Sequence, residues 1–332
     1  MKRMFKNLII FSLLLFCLTG CWSRRELNEL AIVVGLGVDV VDDQYIVSTQ
    51  VVDPSEIAVQ QAGGRRAPVV TYVQKAETIF EAIRKITTIA PRKLYFSHLR
   101  IVVIGKGMAE KGIGELVDLL YRDQELRTDF FIVVTKDSKA RSVLEVLTSL
   151  ESIPANNLFE SLLTSERAWA STMTITLDQL VGDMLKKGIE PNLSRVEVIG
   201  NKEIGNTEQN VKEVRLEAHL QYFGMAALKE DKLVGWFNED ESKGLNYVLN
   251  KVKSTIVPLP CFDEKDKEID IEIVRTKSNV KIKREKDQLK GSIQFHADGN
   301  IASVNCKKID LMTKETIKNL EKEAEKVIKN SI

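Results

Sequence analysis

The chain has 332 residues, 44% of them hydrophobic, which is ordinary for a globular protein and, at roughly 150 residues per domain, long enough for two or three domains. Its 48 basic and 47 acidic residues leave a net charge of +1, so no strong field is available to attract nucleic acid, and no basic stripe with interleaved aromatics appears. Beyond residue 18 no apolar run approaches the ~20 residues of a membrane-spanning helix.

Lys2, Arg3 and Lys6 make a positive n-region, and residues 8–18 an almost unbroken apolar h-region. That stretch is too short to span a bilayer as a mature helix. Leu18-Thr19-Gly20-Cys21 then reads as the lipobox of bacterial lipoproteins. The thiol of Cys21 is the nucleophile that takes diacylglycerol, and the small residues let a peptidase reach the bond before it. Residues 1–20 are therefore read as a leader outside the fold, with the body held at a membrane by fatty acyl (palmitate-type) chains on Cys21. Arg24-Arg25-Glu26 follows directly. It is either a solvated tether beside anionic lipid, where each basic residue adds about 1 kcal/mol, or a docking element for a membrane partner. Cys17 leaves with the leader, so Cys261 and Cys306 remain. They either pair outside the cell or stay as two buried thiols.

Further along, residues 31–40 and 44–52 read as strands joined by a tight Asp42-Asp43 turn. Residues 53–70, with Gly63-Gly64-Arg65-Arg66 and Pro68, read as an exposed loop. Residues 78–89 have helical spacing, and Pro91 ends the helix. A buried strand at 100–104, a single helix at 108–121 and a strand at 130–135 follow. Asp137 or Ser138 is expected to cap a helix through 147. Residues 156–169 form a helix, and Thr176 with Gln179 opens another to 187. The polar stretch 200–210 marks the main domain boundary. Strands at 215–228 and 232–237 come next, then a helix opened by Asn238 and Glu241. Strands at 252–257, 269–284 and 289–295 follow, the last two alternating as a half-exposed antiparallel sheet does. An amphipathic helix at 314–329 closes the chain.

No catalytic or cofactor constellation emerges. Gly35-Leu36-Gly37 follows a strand, but Val38-Asp39-Val40 continues as strand where a dinucleotide site needs a helix. The glycines read as sites of close backbone approach. Gly105-Lys106-Gly107 lacks phosphate-loop spacing. His98, His219 and His296 have no second ligand at metal spacing; His98 is a structural hydrogen-bonding residue or a contact residue. No G-x-S-x-G elbow occurs. The expected site residues are Cys21 for lipid and Arg24, Arg25 and Glu26 for docking, with no cofactor and no metal.

Cys21-Trp22-Ser23-Arg24-Arg25-Glu26-Leu27-Asn28-Glu29-Leu30, followed by Val34-Gly35-Leu36-Gly37-Val38-Asp39, resembles the mature start of C-subunit lipoproteins of spore germinant receptors, the Ger(x)C family. Similar to that family as well are Thr78-Ile79-Phe80-Glu81-Ala82, Phe96-Ser97-His98 before Ile101–Gly105, Gly112-Ile113, Arg122-Asp123, Gly224–Leu228 and Lys232–Gly235. The resemblance implies a non-enzymatic, lipid-anchored receptor subunit on the outer face of the inner spore membrane, working with integral-membrane A-type and B-type subunits. It implies an α+β fold of three domains with mixed and antiparallel sheets and packed helices. Here, after the leader 1–20, these are 21–200, 201–275 and 276–332. Members run on beyond the final helix, so the third domain is expected to be incomplete. The rival reading is the solute-binding lipoprotein of a transporter, which would show repeated βαβ units and two hinged lobes.

Overall fold

Asp42 and Asp43 both take positive φ, 51° and 59°, the backbone that a two-residue hairpin turn requires. They join β1 (Leu30–Val41) to β2 (Gln44–Val52) with Val41 opposite Gln44. The computed structural model describes residues 1, 3–7, 29–52, 67–262, 264, 266–285 and 288–332. Most of the leader, the lipobox and most of the 53–70 loop lie outside them.

Around β1 the chain assembles a mixed sheet. Among the described residues its order is β3-β2-β1-β5-β6-β7-β8-β9, with β4 paired beside β1. The remaining strands are β3 (Val69–Ala76), β4 (Lys93–Tyr95), β5 (Ile101–Gly105), β6 (Phe131–Thr135), β7 (Asn192–Gly200), β8 (Ala218–Lys229) and β9 (Lys232–Phe237). β1, β5, β6 and β7 run parallel, and the outer pairs are antiparallel. β3, β4 and β7 are additions to the sequence reading.

Helices cover both faces, which is why β5 and β6 are buried at every position rather than alternating. On one face α1 (Ile79–Ile86), α2 (Lys106–Lys111), α3 (Gly114–Arg122) and α6 (Leu177–Leu185) pack over Leu36, Val38, Val102, Ile104, Ile132 and Val134. On the other, α4 (Ala140–Glu145) and α5 (Pro154–Ala168) pack over Ile101, Val103, Phe131 and Val133. The expected caps at Thr176 and Asn238 are present, and Thr78 caps α1 as well. The single helix expected at 108–121 is instead α2 and α3. Gly112 breaks it, at a φ of +129° that a side-chain-bearing residue rarely adopts.

The polar stretch at 200–210 carries two short helices, α7 (Lys202–Gly205) and α8 (Gln209–Lys212). Asn210 is buried there, donating to the carbonyls of Leu147 and Ala218 and accepting from Ala218 N–H. The chain then re-enters the same sheet as β8.

A second sheet contains β10 (Thr255–Pro260), β11 (Glu268–Glu285) and β12 (Gln288–Val304), all antiparallel. Its core holds Tyr247 from α9 (Glu239–Val248), Leu320 and Ile328 from α10 (Lys314–Ser331), and Val257, Leu259, Ile269 and Ile273. Of the two open alternatives for the cysteines, the structure has the disulfide: Cys261 is bonded to Cys306, with Cα atoms 5.8 Å apart. Beyond this core β11 and β12 continue as a two-stranded ribbon. One face carries Val280, Ile282, Leu289 and Ile293, all exposed, while Phe295 packs edge-on against Tyr247. The other carries Lys277, Lys281, Lys283, Lys290 and His296.

Candidate functional site

Cys21, Arg24, Arg25 and Glu26 lie outside the described residues. The chain is followed from Glu29 into β1, whose first residue, Leu30, sits opposite Lys93 of β4 in a parallel pair. Glu29 lines an open depression with Thr87, Ala90, Pro91, Arg92 and Lys93.

The strand that resembles the family signature has a structural task. Gly35, Gly37 and Asp39 point to the same face of β1, as alternate residues must. A Cβ on Gly35 would meet Leu144 Cδ2 at 2.9 Å, and one on Gly37 would meet the Ala140 backbone at 3.3 Å. α4 therefore lies directly against bare backbone, as close approach predicts. Asp39 then reaches the start of that helix. Its carboxylate accepts from Ala140 N–H at 3.0 Å and Arg141 N–H at 3.4 Å, capping a terminus whose own flanking residue, Lys139, supplies no side-chain cap. Neither Asp137 nor Ser138 is the cap, because a buried carboxylate from β1 occupies that place. Burial pushes the Asp39 carboxyl above the ordinary aspartate range, against the Ala140 and Arg141 amides and nearby Lys139. Gly105 is small because a Cβ there would overlap the Asp39 carboxylate. Lys106 pairs on the surface with Glu110 at 3.6 Å. At the other end of α4, Gln50 of β2 donates to the Leu144 carbonyl and accepts from Ala155 N–H at 3.0 Å, joining α4 to α5.

The carboxyl ends of β5 and β6 are where an open α/β sheet would hold a ligand. Here the position is filled from within. Glu197 of β7 accepts from Lys136 N–H, Asp137 N–H, Thr135 Oγ1 and Arg195 Nε. Burial alone would raise its pKa, but those amides, Arg195 and Ser138 bring it below the ordinary glutamate value. Arg195 also pairs with Asp137 at 2.9 Å and lies 5.5 Å from the Trp236 ring centroid. This is a satisfied ion network. The histidines are far apart along the fold and all exposed. His98 lies edge-on to Tyr95 at 6.0 Å, and His296 pairs with Asp298 at 3.2 Å. Among the described residues no cluster of three or more His, Cys, Asp or Glu side chains could hold a metal.

Contacts between elements use buried polar groups that sequence reasoning missed. Asp231, in the β8–β9 turn, accepts from Gly114 N–H through its side chain and from Ile113 N–H through its carbonyl, at 3.2 and 2.8 Å. Asn246 of α9 donates to the carbonyls of Ala170 and Thr172, at 2.8 and 3.0 Å, and Thr255 Oγ1 donates to that of Trp169 at 2.9 Å. Lys253 pairs with Glu166 at 3.5 Å. The one available signal was a polar residue inside an apolar run, such as Glu197 between Val196 and Val198.

Residues 23–198 match the family model described as Spore germination protein N-terminal domain. Residues 223–332 match Spore germination B3/GerAC like, C-terminal. The two models meet across the β7–β8 connection, although both strands belong to one sheet. The chain is 31% identical over 264 residues to Spore germination protein KC of Bacillus subtilis (strain 168), an alignment covering 78% of this chain and 65% of that protein. It is 24% identical over 288 residues to Spore germination protein B3 of the same organism, covering 85% and 70%. A crystal structure of the GerBC protein is similar at 18% identity and a TM-score of 0.48, over 90% of this chain and 80% of that one. The chain thus spans 65% of the length of the KC relative.

Proposed function

The chain belongs to the GerAC-like family of spore germination proteins, and from that premise we propose that it is a lipid-anchored, non-catalytic subunit of a nutrient germinant receptor. The carrying observation is that family models match both halves of the chain. In this reading Cys21 holds two acyl chains at the outer face of the inner spore membrane, where one chain would bind only marginally. No helix among the described residues is long and apolar enough to cross a membrane. Integral-membrane A-type and B-type subunits are the expected partners. The internally satisfied Glu197 and Asp39 networks support an assembly role: both carboxylates have their hydrogen bonds met by the protein itself. The rival solute-binding reading needs two hinged lobes, whereas a single sheet runs from β1 to β9.

A deletion strain tested against a panel of germinants checks the reading. Loss of the response to one class of nutrient, restored by the wild-type gene, is expected; an unchanged response to every germinant would refute it. Cys21→Ala should abolish fatty-acid labelling and most of the restored response.

A further inference from the structure

We propose that the face formed by the end of α1 and the following turn, residues 84–93, lies against an anionic bilayer surface. The inference rests on the reading of Cys21 as the anchor, and adds which side of the molecule the membrane meets. From 82 to 109 the sequence contains no Asp or Glu, while Arg84, Lys85, Arg92 and Lys93 fall within one helix end and one turn. All four are exposed, and so is Ile89 between them, at 50%. Glu81 pairs with Lys85 at 2.8 Å and Glu125 with Lys93 at 2.6 Å. Arg84 lies over the half-exposed Phe80 ring at 4.9 Å. Neither Arg84 nor Arg92 has a carboxylate partner among the described residues. The patch therefore offers two free guanidinium groups, two partly neutralised ammonium groups and an apolar side chain. That combination suits phosphate headgroups at the edge of hydrocarbon.

The route of the chain selects this occupant. β1 begins at Leu30 beside Lys93, and Glu29 lines the same depression as Thr87, Arg92 and Lys93. The described chain thus enters the fold at this patch, and chain length alone keeps Cys21, eight residues before Glu29, within ~29 Å of it. An acyl anchor at Cys21 keeps this end of the sheet near the headgroups. The opposite end of β1, 11 residues on, stands ~36 Å away.

The test uses full-length protein on vesicles of phosphatidylglycerol with phosphatidylcholine, or of phosphatidylcholine alone. Cys261 and Cys306 are bonded to each other, Cys17 leaves with the leader and Cys21 is blocked by its acyl group in lipid-labelled protein, so there a dye on Thr88→Cys or, at the far end, Glu110→Cys reports one site. On anionic vesicles a headgroup-attached quencher should quench the dye at 88 several-fold more than at 110. The Arg84→Glu/Arg92→Glu pair should erase that difference, and each charge removed should weaken vesicle partitioning about fivefold. Fatty-acid labelling of the same preparation scores the anchor separately. Labelled protein quenched equally at 88 and 110 keeps the anchor and overturns the surface. Unlabelled protein that still sediments with anionic vesicles, and stops doing so on charge reversal, keeps the surface and overturns the anchor. Unlabelled protein that never sediments overturns both. Charge reversal that abolishes germination but leaves the quenching pattern intact assigns the patch to a protein partner and overturns the proposal.

Discussion

Asp39 joins two segments 101 positions apart in the chain with one carboxylate. Removing it by Asp39→Ala leaves the first amides of α4 buried without an acceptor, so a loss of about 1–2 kcal/mol is expected. Asp39→Asn keeps an acceptor oxygen and sheds the buried charge, so it should lose much less; urea unfolding of the two variants at pH 7 makes the comparison. Glu197 gives the complementary pH signature. Its pKa is lower in the folded protein than the ordinary 4.5, so the unfolded chain takes up the proton first. The stability it contributes is present above about pH 4.5 and is lost as pH falls through the lower, folded value. Glu197→Gln should flatten the acid limb of stability against pH below about 5. Equal slopes for wild type and variant would show that its network carries no net electrostatic stabilisation. In the sequence the Gly-x-Gly-x-Asp spacing already excluded a dinucleotide loop and pointed to close packing. The helix at 140–145 was legible but its cap by Asp39 was not, because nothing local links residue 39 to residue 140.

Elements with local signals were the legible ones. The Asp-Asp turn, the capping boxes at Thr176 and Asn238 and the stripe of α10 are written in neighbouring residues. β7 was missed because its polar residues, Arg195 and Glu197, fall where a strand would show a solvated face, whereas Glu197 is buried and bonded. α2 and α3 merged in the sequence because their apolar residues keep a helical spacing across Gly112, and only the backbone angle there separates them. The pairing of the two cysteines is not local, because it depends on how β10 and β12 flank β11. With the bonded positions 45 apart in the sequence, the cross-link is expected to contribute about 2–4 kcal/mol. Cys306→Ser should lower the denaturant midpoint of the β10–β12 sheet by a matching amount, and added reductant should reproduce the effect in the wild type but not in the variant. A variant with an unchanged midpoint would show that the sheet holds without its bridge.

The molecule has two helix-covered faces on one mixed sheet and a third apolar cluster on the smaller sheet. Leu320 belongs to that third cluster, 4% exposed. Leu320→Asp should place an unpaired charge in it, at a cost of several kcal/mol. Amide hydrogen exchange should show protection lost across β10–β12 and α10 and kept from β1 to β9. Uniform loss would mean one cooperative unit, with Asn246, Thr255 and the Lys253–Glu166 pair binding the halves too tightly to part. The position of β1 has a mechanical consequence for a tethered protein. A pull transmitted from the N-terminal side enters along the axis of β1, which has β2 on one side and β4 and β5 on the other. Hydrogen bonds on both flanks are then loaded together in shear instead of being unzipped singly, so tension on the tether meets the strongest direction of the sheet first.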